Sequence, residues 1–351
     1  MLTGKKWSIS FLAVVLALLI LLGGAVVVID PFFHYHAPLP GLEYPMSYKY
    51  QRYLNDGILR HFSYDAVITG TSMTENFSTS EFDSLFSCNT VKISLSGASY
   101  KEIDEQLARA AAANPGIKYV LRSLDAEYLF YDKNFMRTDF DYPAYLYNNS
   151  PFDDVNYLFN KDVLLNQCGA VLSYTRSGQK TPSFDVYSNW MPRYTLGRES
   201  VKANYKRPEK AAAPAELTNA ERAGLTASIE QNFLAFAKEN PQIDFYLFFP
   251  PYNICYWDRA YRRGTLEREL QAQELAASLL TGYDNIHLFG FFDEFDLICD
   301  LDSYMDIFHY GEATSSQILQ WIEAGEHQLT KENYRDYFAR IGEFYLNYDY
   351  D

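Results

Sequence analysis

Positive charge is scarce in this sequence. Thirty lysine and arginine residues stand against 45 aspartate and glutamate residues, leaving a formal net charge of −15. This balance argues against a nucleic-acid ligand, because phosphate binding requires clustered cations. Cysteine is also rare, and its four positions, Cys88, Cys168, Cys255 and Cys299, include no C-x-x-C pair. Their spacing disfavours a structural zinc site.

The few cysteines leave two states open. In an oxidising compartment they could form disulfides, and sequence alone cannot choose among three pairings; we expect free thiols instead.

The acidic run from Asp293 to Asp302 does not fit a calcium loop, since Tyr304 and Met305 stand where an oxygen ligand and a glycine are required. The sequence therefore predicts neither a bound metal nor a cofactor.

Only one long hydrophobic run is present. The residues from Ile9 to Ile29 carry no charge and no proline, and as a helix they would span about 31 Å, close to the hydrocarbon thickness of a bilayer. Because Lys5 and Lys6 precede the run, we predict a single-pass anchor in the cell membrane with the rest of the chain extracytoplasmic. A cleaved signal peptide is the alternative, but the run exceeds the usual apolar region of about 7–15 residues.

The remainder has the composition of a globular protein. Hydrophobic residues make up 48% and charged residues 21% of the chain, which allows a buried core. Short apolar strands alternate with helices, a pattern typical of an α/β fold in which helices cover both faces of a parallel, flavodoxin-like sheet. The strands are predicted at 66–70, 91–94, 119–123, 244–249 and 285–289, and the helices at 48–60, 100–113, 219–239, 266–280 and 312–324.

Residues 128–215 interrupt this alternation. The segment is rich in tyrosine, asparagine, aspartate and proline and is too long for a loop within a compact domain, so we predict an inserted subdomain or lid. The predicted organisation is an anchor (1–30), a stalk with a leading helix (31–60), the first half of the α/β domain (61–127), the insertion (128–215) and the second half (216–351).

A serine follows the first predicted strand directly. Val67-Ile-Thr-Gly70 runs into Thr71-Ser72, which would expose the Ser72 hydroxyl at the carboxyl edge of the sheet, where open α/β folds bind ligands. Amides at the start of the next helix could then stabilise an oxyanion. Alternatively, Ser72 or Thr71 only caps that helix.

A histidine and an aspartate lie close together near the other end of the chain. Asp306 and His309 are three residues apart in Tyr304-Met-Asp-Ile-Phe-His-Tyr310, just before a predicted helix. His309 could take the proton of Ser72 while Asp306 orients the imidazole ring. This pairing favours nucleophilic catalysis over simple capping at Ser72.

Together, these blocks resemble the SGNH/GDSL hydrolase superfamily, whose first block carries the nucleophilic serine and whose last block carries the aspartate and histidine. The resemblance implies that Gly97, in Ser94-Leu-Ser-Gly-Ala-Ser99, and the amide of Ser72 form an oxyanion hole. The sequence departs from the family in reading G-T-S instead of G-D-S and in having Leu124 where the third block has asparagine. Asn253 or a backbone amide would replace that donor, or the hole is weaker.

The N-terminal run and the large insertion are most similar to membrane-anchored members that act on cell-envelope polymers, such as the D-alanyl transfer proteins of lipoteichoic-acid modification. This resemblance implies an extracytoplasmic serine esterase or O-acyltransferase acting on a cell-surface glycan or other acyl-bearing polymer, with a membrane acyltransferase as a candidate partner. The alternative is a non-catalytic SGNH scaffold that binds glycan or a membrane partner, motivated by Leu124 and by the 17% aromatic content.

Overall fold

The computed structural model describes residues 4–137, 139–140, 142–148, 150–211 and 213–350. The chain forms two compact units. The first comprises Met1–Phe62 and Asp139–Ser183, and the second comprises Ser63–Thr138 and Phe184–Asp351. The predicted insertion 128–215 is therefore divided between the units, with its central part in the first.

The regular elements, in chain order, alternate between strands and helices over much of the second unit. The strands are β1 (Ala66–Thr69), β2 (Thr90–Lys92), β3 (Tyr119–Ser123), β4 (Asp244–Phe249), β5 (Ile286–Gly290) and β6 (Gln328–Leu329). The helices are α1 (Gly4–Ile29), α2 (Gln51–His61), α3 (Thr79–Phe86), α4 (Tyr100–Ala113), α5 (Val155–Leu158), α6 (Cys168–Arg176), α7 (Arg198–Asn204), α8 (Asn219–Ile229), α9 (Ala235–Glu239), α10 (Ile254–Arg263), α11 (Leu266–Leu280), α12 (Phe295–Cys299), α13 (Glu312–Ala324) and α14 (Tyr334–Asn347).

The second unit is built on one six-stranded sheet in the order β2-β1-β3-β4-β5-β6. The first five strands are parallel, and their order is that of flavodoxin-like folds, which confirms the predicted fold class. In this order the chain changes direction between β1 and β3, and the carboxyl ends of these two strands flank the crevice where such folds bind ligands. Helices flank the sheet: α3 packs against α13, while α8 and α14 pack against α11.

The structure corrects the prediction at one edge of the sheet and at three helices. The strand β6 pairs antiparallel with β5, so the sheet is not wholly parallel. The helix predicted at 312–324 is present as α13 but is not the last, because α14 follows it. The sequence analysis also missed α3 and α10, which begin at the side-chain caps Ser78 and Asn253.

The first unit contains the apolar N-terminal helix. By length and composition α1 can cross a membrane, a property it would share with a signal sequence. Its last residue is followed by Asp30, whose carboxylate is fully buried and accepts hydrogen bonds from the Tyr157 hydroxyl and from the amides of His34, Tyr35 and His36. All four cysteines of the chain are free.

Candidate active site

The turn after β1 presents Ser72 at the carboxyl edge of the sheet. Thr71 lies just before a short 3₁₀ turn that starts at Ser72, and its hydroxyl accepts a hydrogen bond from the amide of Met73. Gly70 has a φ of +141°, and a Cβ there would lie 2.5 Å from the Ser123 hydroxyl. Only glycine fits this bend. Because the cap is Thr71, the Ser72 hydroxyl is left available.

Ser72 and His309 meet although 237 positions separate them in the sequence. The Ser72 Oγ and the His309 Nε2 are 2.8 Å apart, within the distance required for proton transfer between a nucleophile and its base. A serine that only caps a helix would not require this contact.

Asp306 holds the other side of the imidazole ring. The His309 Nδ1 lies 2.8 Å and 2.9 Å from the two carboxylate oxygens of Asp306. The Asp306 Oδ1 also accepts hydrogen bonds from the amides of Phe308 and His309. Because a carboxylate only accepts, the ring proton belongs on Nδ1, and Nε2 can accept the proton of Ser72.

The electrostatics of this pair follow from burial and from mutual stabilisation. Burial alone would raise the pKa of Asp306, but hydrogen bonds from His309 and the loop amides hold it below its ordinary value. Burial would lower the pKa of His309, yet the hydrogen bond and the charge of Asp306 raise it above 6.5. The aspartate thus stays ionised and favours the imidazolium that forms when the serine loses its proton.

Gly97 lines the same pocket as Ser72 and His309. Its φ of +63° lies in the left-handed region that favours glycine. Its carbonyl accepts hydrogen bonds from the Tyr128 hydroxyl at 2.9 Å and from Arg137 Nη1 at 3.1 Å. These two donors hold the Gly97–Ala98 peptide, which adjoins the peptide that carries the Gly97 N–H. In the described part of the chain neither the Gly97 amide nor the Ser72 amide donates a hydrogen bond. Both amides therefore remain able to serve as oxyanion donors.

Asn253 does not supply the third oxyanion donor suggested by the sequence. Its side chain is fully buried, its Nδ2 donates to the carbonyl of Asp306 at 2.6 Å, and its Oδ1 accepts from the amide of Cys255. It is also not part of the pocket lining. Asn253 instead caps α10 and braces the loop that carries Asp306 and His309.

Asp125 is a site residue that the sequence analysis did not single out. It follows β3, lines the pocket, and accepts hydrogen bonds from the hydroxyls of Thr71 at 2.9 Å and Ser123 at 2.6 Å. Burial raises its pKa despite these two donors. Asp125 therefore ties the carboxyl end of β3 to the residue that precedes Ser72.

Trp190 is a second such residue, and it comes from the segment predicted as an insertion. Its indole N–H donates to the main-chain carbonyl of Ser72 at 3.2 Å, and its main-chain amide donates to Asn76 Oδ1. The hydroxyl of Tyr310, next to His309, donates to the carbonyl of Met73. The turn that carries Ser72 is thus held by both Trp190 and Tyr310.

A buried lysine lies beneath this turn. Lys92 Nζ donates to the main-chain carbonyls of Glu75, Phe77 and Asp185. Burial lowers the pKa of Lys92 to about 7, although the negative charges of nearby carboxylates act to raise it. Its three bonds fasten the chain that follows the Ser72 turn.

An open pocket of about 160 Å³ lies beside Ser72 and His309. Its lining consists of Thr71, Ser72, Met73, Gly97, Asp125, Glu127, Tyr128, Tyr252, Phe308 and His309. Glu127 forms an ion pair with Arg259 at 2.6 Å, which offsets its charge. Across the described ranges, no three His, Cys, Asp or Glu side chains are grouped so that they could hold a metal ion.

No known protein family and no curated protein matches this chain. Among solved structures, the chain is similar to a protein from Streptococcus pneumonia that carries the provisional name of a platelet activating factor. The two are 13% identical, and the match covers 83% of this chain and 90% of the other with a TM-score of 0.35. Evidence on function therefore comes from the geometry of the site.

Proposed function

We propose that the protein is a serine esterase or O-acyltransferase in which Ser72 is the nucleophile, His309 the general base and Asp306 its orienting partner. The observation that carries this proposal is the chain of contacts from the Ser72 hydroxyl through the imidazole to the Asp306 carboxylate. A non-catalytic scaffold has no need for a serine and a histidine at hydrogen-bonding distance.

The reaction follows from these contacts. Ser72 Oγ attacks the ester carbonyl carbon, its proton passes to His309 Nε2, and the carbonyl electrons move onto oxygen. Collapse of this intermediate breaks the bond to the leaving alcohol, which takes the proton from His309 and leaves an acyl group on Ser72. Water, or the hydroxyl of an acceptor, then attacks with His309 again as base, giving hydrolysis or transfer.

The oxyanion would be stabilised by the amides of Ser72 and Gly97. With Leu124 at the family's asparagine position and Asn253 engaged elsewhere, this hole has two main-chain donors. Loss of one donor typically lowers turnover by about 10²–10³-fold. We therefore expect slow or specialised chemistry.

The pocket supports a substrate whose ester carries a small acyl group on a larger molecule. At about 160 Å³ it is smaller than the roughly 300–1,000 Å³ of sites that enclose a whole drug-sized ligand. A cell-surface glycan or another acyl-bearing envelope polymer fits this requirement, since its bulk would lie outside. We further propose that α1 anchors the chain in the cell membrane with the catalytic unit outside the cytoplasm, which agrees with Lys5 and Lys6 before the apolar run.

A fluorophosphonate probe tests the proposal directly, because it reacts with activated serines. We expect covalent labelling of Ser72 in the full-length protein, identified by mass spectrometry of the labelled peptide, and no labelling of Ser72→Ala. Ser80→Ala changes an exposed serine on α3 and should label like the wild type. Absence of labelling in a folded wild-type protein would contradict the catalytic proposal and favour the binding scaffold.

A further inference from the structure

The first unit exposes an apolar surface beside the C-terminal end of α1. Five large apolar side chains of the segment 152–172 are between 43% and 88% exposed: Phe152, Val155, Phe159, Leu165 and Leu172. Soluble surfaces rarely cluster such residues within one short segment unless they bind something.

This segment packs against α1 within the same unit. The helices α5 and α6 and the turn between them, Asp162–Gln167, all contact α1. The ring of Phe159 lies beside Gly23, where an added Cβ would be 3.5 Å from the ring. Gly23 precedes the end of α1 at Ile29 by six residues, or about 9 Å along the helix axis.

Other side chains of the segment make polar contacts with the residues that follow α1. The hydroxyl of Tyr157 donates to the buried carboxylate of Asp30. The carboxylate of Asp154 contacts the His34 ring and accepts from the Tyr35 hydroxyl. The segment therefore makes polar contacts with the residues that end α1, and it exposes its apolar side chains among a few exposed polar ones (Asp153, Asn156, Lys161 and Asn166).

We infer that the segment 152–172 lies in the membrane interface and dips its exposed apolar side chains into the outer edge of the bilayer next to α1. If α1 spans the membrane with Ile29 at the hydrocarbon boundary, Phe159 lies about 9 Å inside it. That depth agrees with the roughly 5–10 Å reached by interfacial amphipathic segments. The inference depends on insertion of α1 but not on the catalytic proposal.

Charge does not drive this contact. Between residues 152 and 176, the exposed Lys161 and Arg176 are outnumbered by Asp153, Asp154 and Asp162, so an anionic lipid is not required. The two cationic side chains are long enough to reach headgroup phosphates while their stems stay in apolar surroundings. Zwitterionic lipid should therefore suffice, independent of salt concentration.

The test uses full-length protein in phosphatidylcholine nanodiscs that contain a phosphatidylcholine with a diazirine on its acyl chain. After irradiation, peptide mass spectrometry should find label on peptides from 152–172 as well as on α1. Peptides with Val186 and Tyr194, which are 61% and 54% exposed in the second unit, should stay unlabelled. We expect the double variant Phe152→Ser/Phe159→Ser to lose label in this segment at least threefold while α1 keeps its own.

Label confined to α1 would overturn the inference and point to a protein partner for the apolar surface. Label on neither α1 nor the segment would overturn it together with the proposed membrane span. Neither result bears on the fluorophosphonate reaction of Ser72, so the two proposals fail separately.

Discussion

The indole ring of Trp190 stands nearly perpendicular to the imidazole of His309, with an interplanar angle of 87° and 5.7 Å between centroids. The same indole donates its N–H to the main-chain carbonyl of Ser72. One side chain thus contacts both partners of the proposed proton transfer and fixes their spacing.

Trp190→Phe tests this positioning role. The change keeps an aromatic ring beside His309 but removes one neutral hydrogen bond, which is worth about 0.5–1.5 kcal/mol. We expect the rate of fluorophosphonate labelling at Ser72 to fall roughly twofold to tenfold, and the melting temperature to fall by about a few degrees because a buried side chain becomes smaller. Trp321→Phe, an indole packed on Phe291 in the same unit, should leave the rate unchanged. Equal losses in both variants would contradict a specific role for Trp190.

The pH dependence of labelling reports the base. Only neutral His309 can accept the proton of Ser72, so reactivity falls as the pH drops through the His309 pKa. Because burial, which lowers that pKa, is outweighed by Asp306, the half-maximal rate on the acid side should lie above pH 6.5. A profile of labelling rate against pH measures it.

Asp306→Asn should change both the acid limb of that profile, meaning the pH of half-maximal rate on the acid side, and the maximal rate. Without the carboxylate, burial is opposed only by more distant charges, so the acid limb moves to lower pH. The maximal rate should fall by about 10³–10⁴-fold, since the ring loses its orientation and its stabilised imidazolium. Asp302→Asn neutralises an exposed carboxylate four residues earlier and should change neither the acid limb nor the maximal rate. An acid limb that stays in place in Asp306→Asn would exclude His309 as the titrating base.

The donors to the Gly97 carbonyl provide a further prediction. Tyr128→Phe or Arg137→Gln alone should lower the labelling rate by less than about tenfold, because the other donor still holds the Gly97–Ala98 peptide and so limits rotation of the neighbouring Gly97 N–H. Together they should approach the roughly 10²-fold loss typical of a missing oxyanion donor. The acid limb should stay at the wild-type pH, which separates this effect from one on His309.

The matched control is Arg222→Gln, whose guanidinium bonds to Gln271 and does not line the pocket. It should retain the wild-type rate. A double variant that labels as fast as the wild type would show that the orientation of Gly97 does not matter to the reaction.

The bend at Gly70 predicts a stability effect. Gly70→Ala combines a positive φ with a Cβ 2.5 Å from the Ser123 hydroxyl, so the free energy of unfolding should fall by at least about 2 kcal/mol. Gly224→Ala is the control, because Gly224 lies within α8 with no heavy atom within 4 Å of an added Cβ. It should be neutral or stabilising by up to about 1 kcal/mol. Chemical unfolding in detergent measures both; similar stability of the two would contradict the reading of Gly70.

Much of the sheet was predictable because its strands are short apolar runs between helices. The bounds of β3 and β4 match the prediction, since both strands are central and bury most of their side chains. The two-residue β6 was not predictable, because it exists only through pairing with β5. The helix α14 had a readable pattern, with apolar residues three and four positions apart.

The sequence predicted only those site residues whose side-chain type itself indicates a chemical role. Ser72 comes just after the first predicted strand, and His309 lies three residues after Asp306, just before the predicted helix at 312–324. Trp190 and Arg137 act through contacts with Ser72 and Gly97 that only the folded chain creates. Asn253 is the opposite case: the sequence suggests it as an oxyanion donor, but in the folded chain its Nδ2 donates to the main-chain carbonyl of Asp306.

The separation of Ser72 and His309 by 237 positions also has a consequence for how the protein matures. Bringing two such distant residues together lowers the conformational entropy of the chain, and local contacts alone do not compensate for this loss. We expect the turn at Ser72 to form early beside β1, and His309 to reach it only after β4 and β5 have paired with the rest of the sheet. Serine reactivity should therefore appear last during refolding, and a nascent chain still tethered before residue 309 would remain inert.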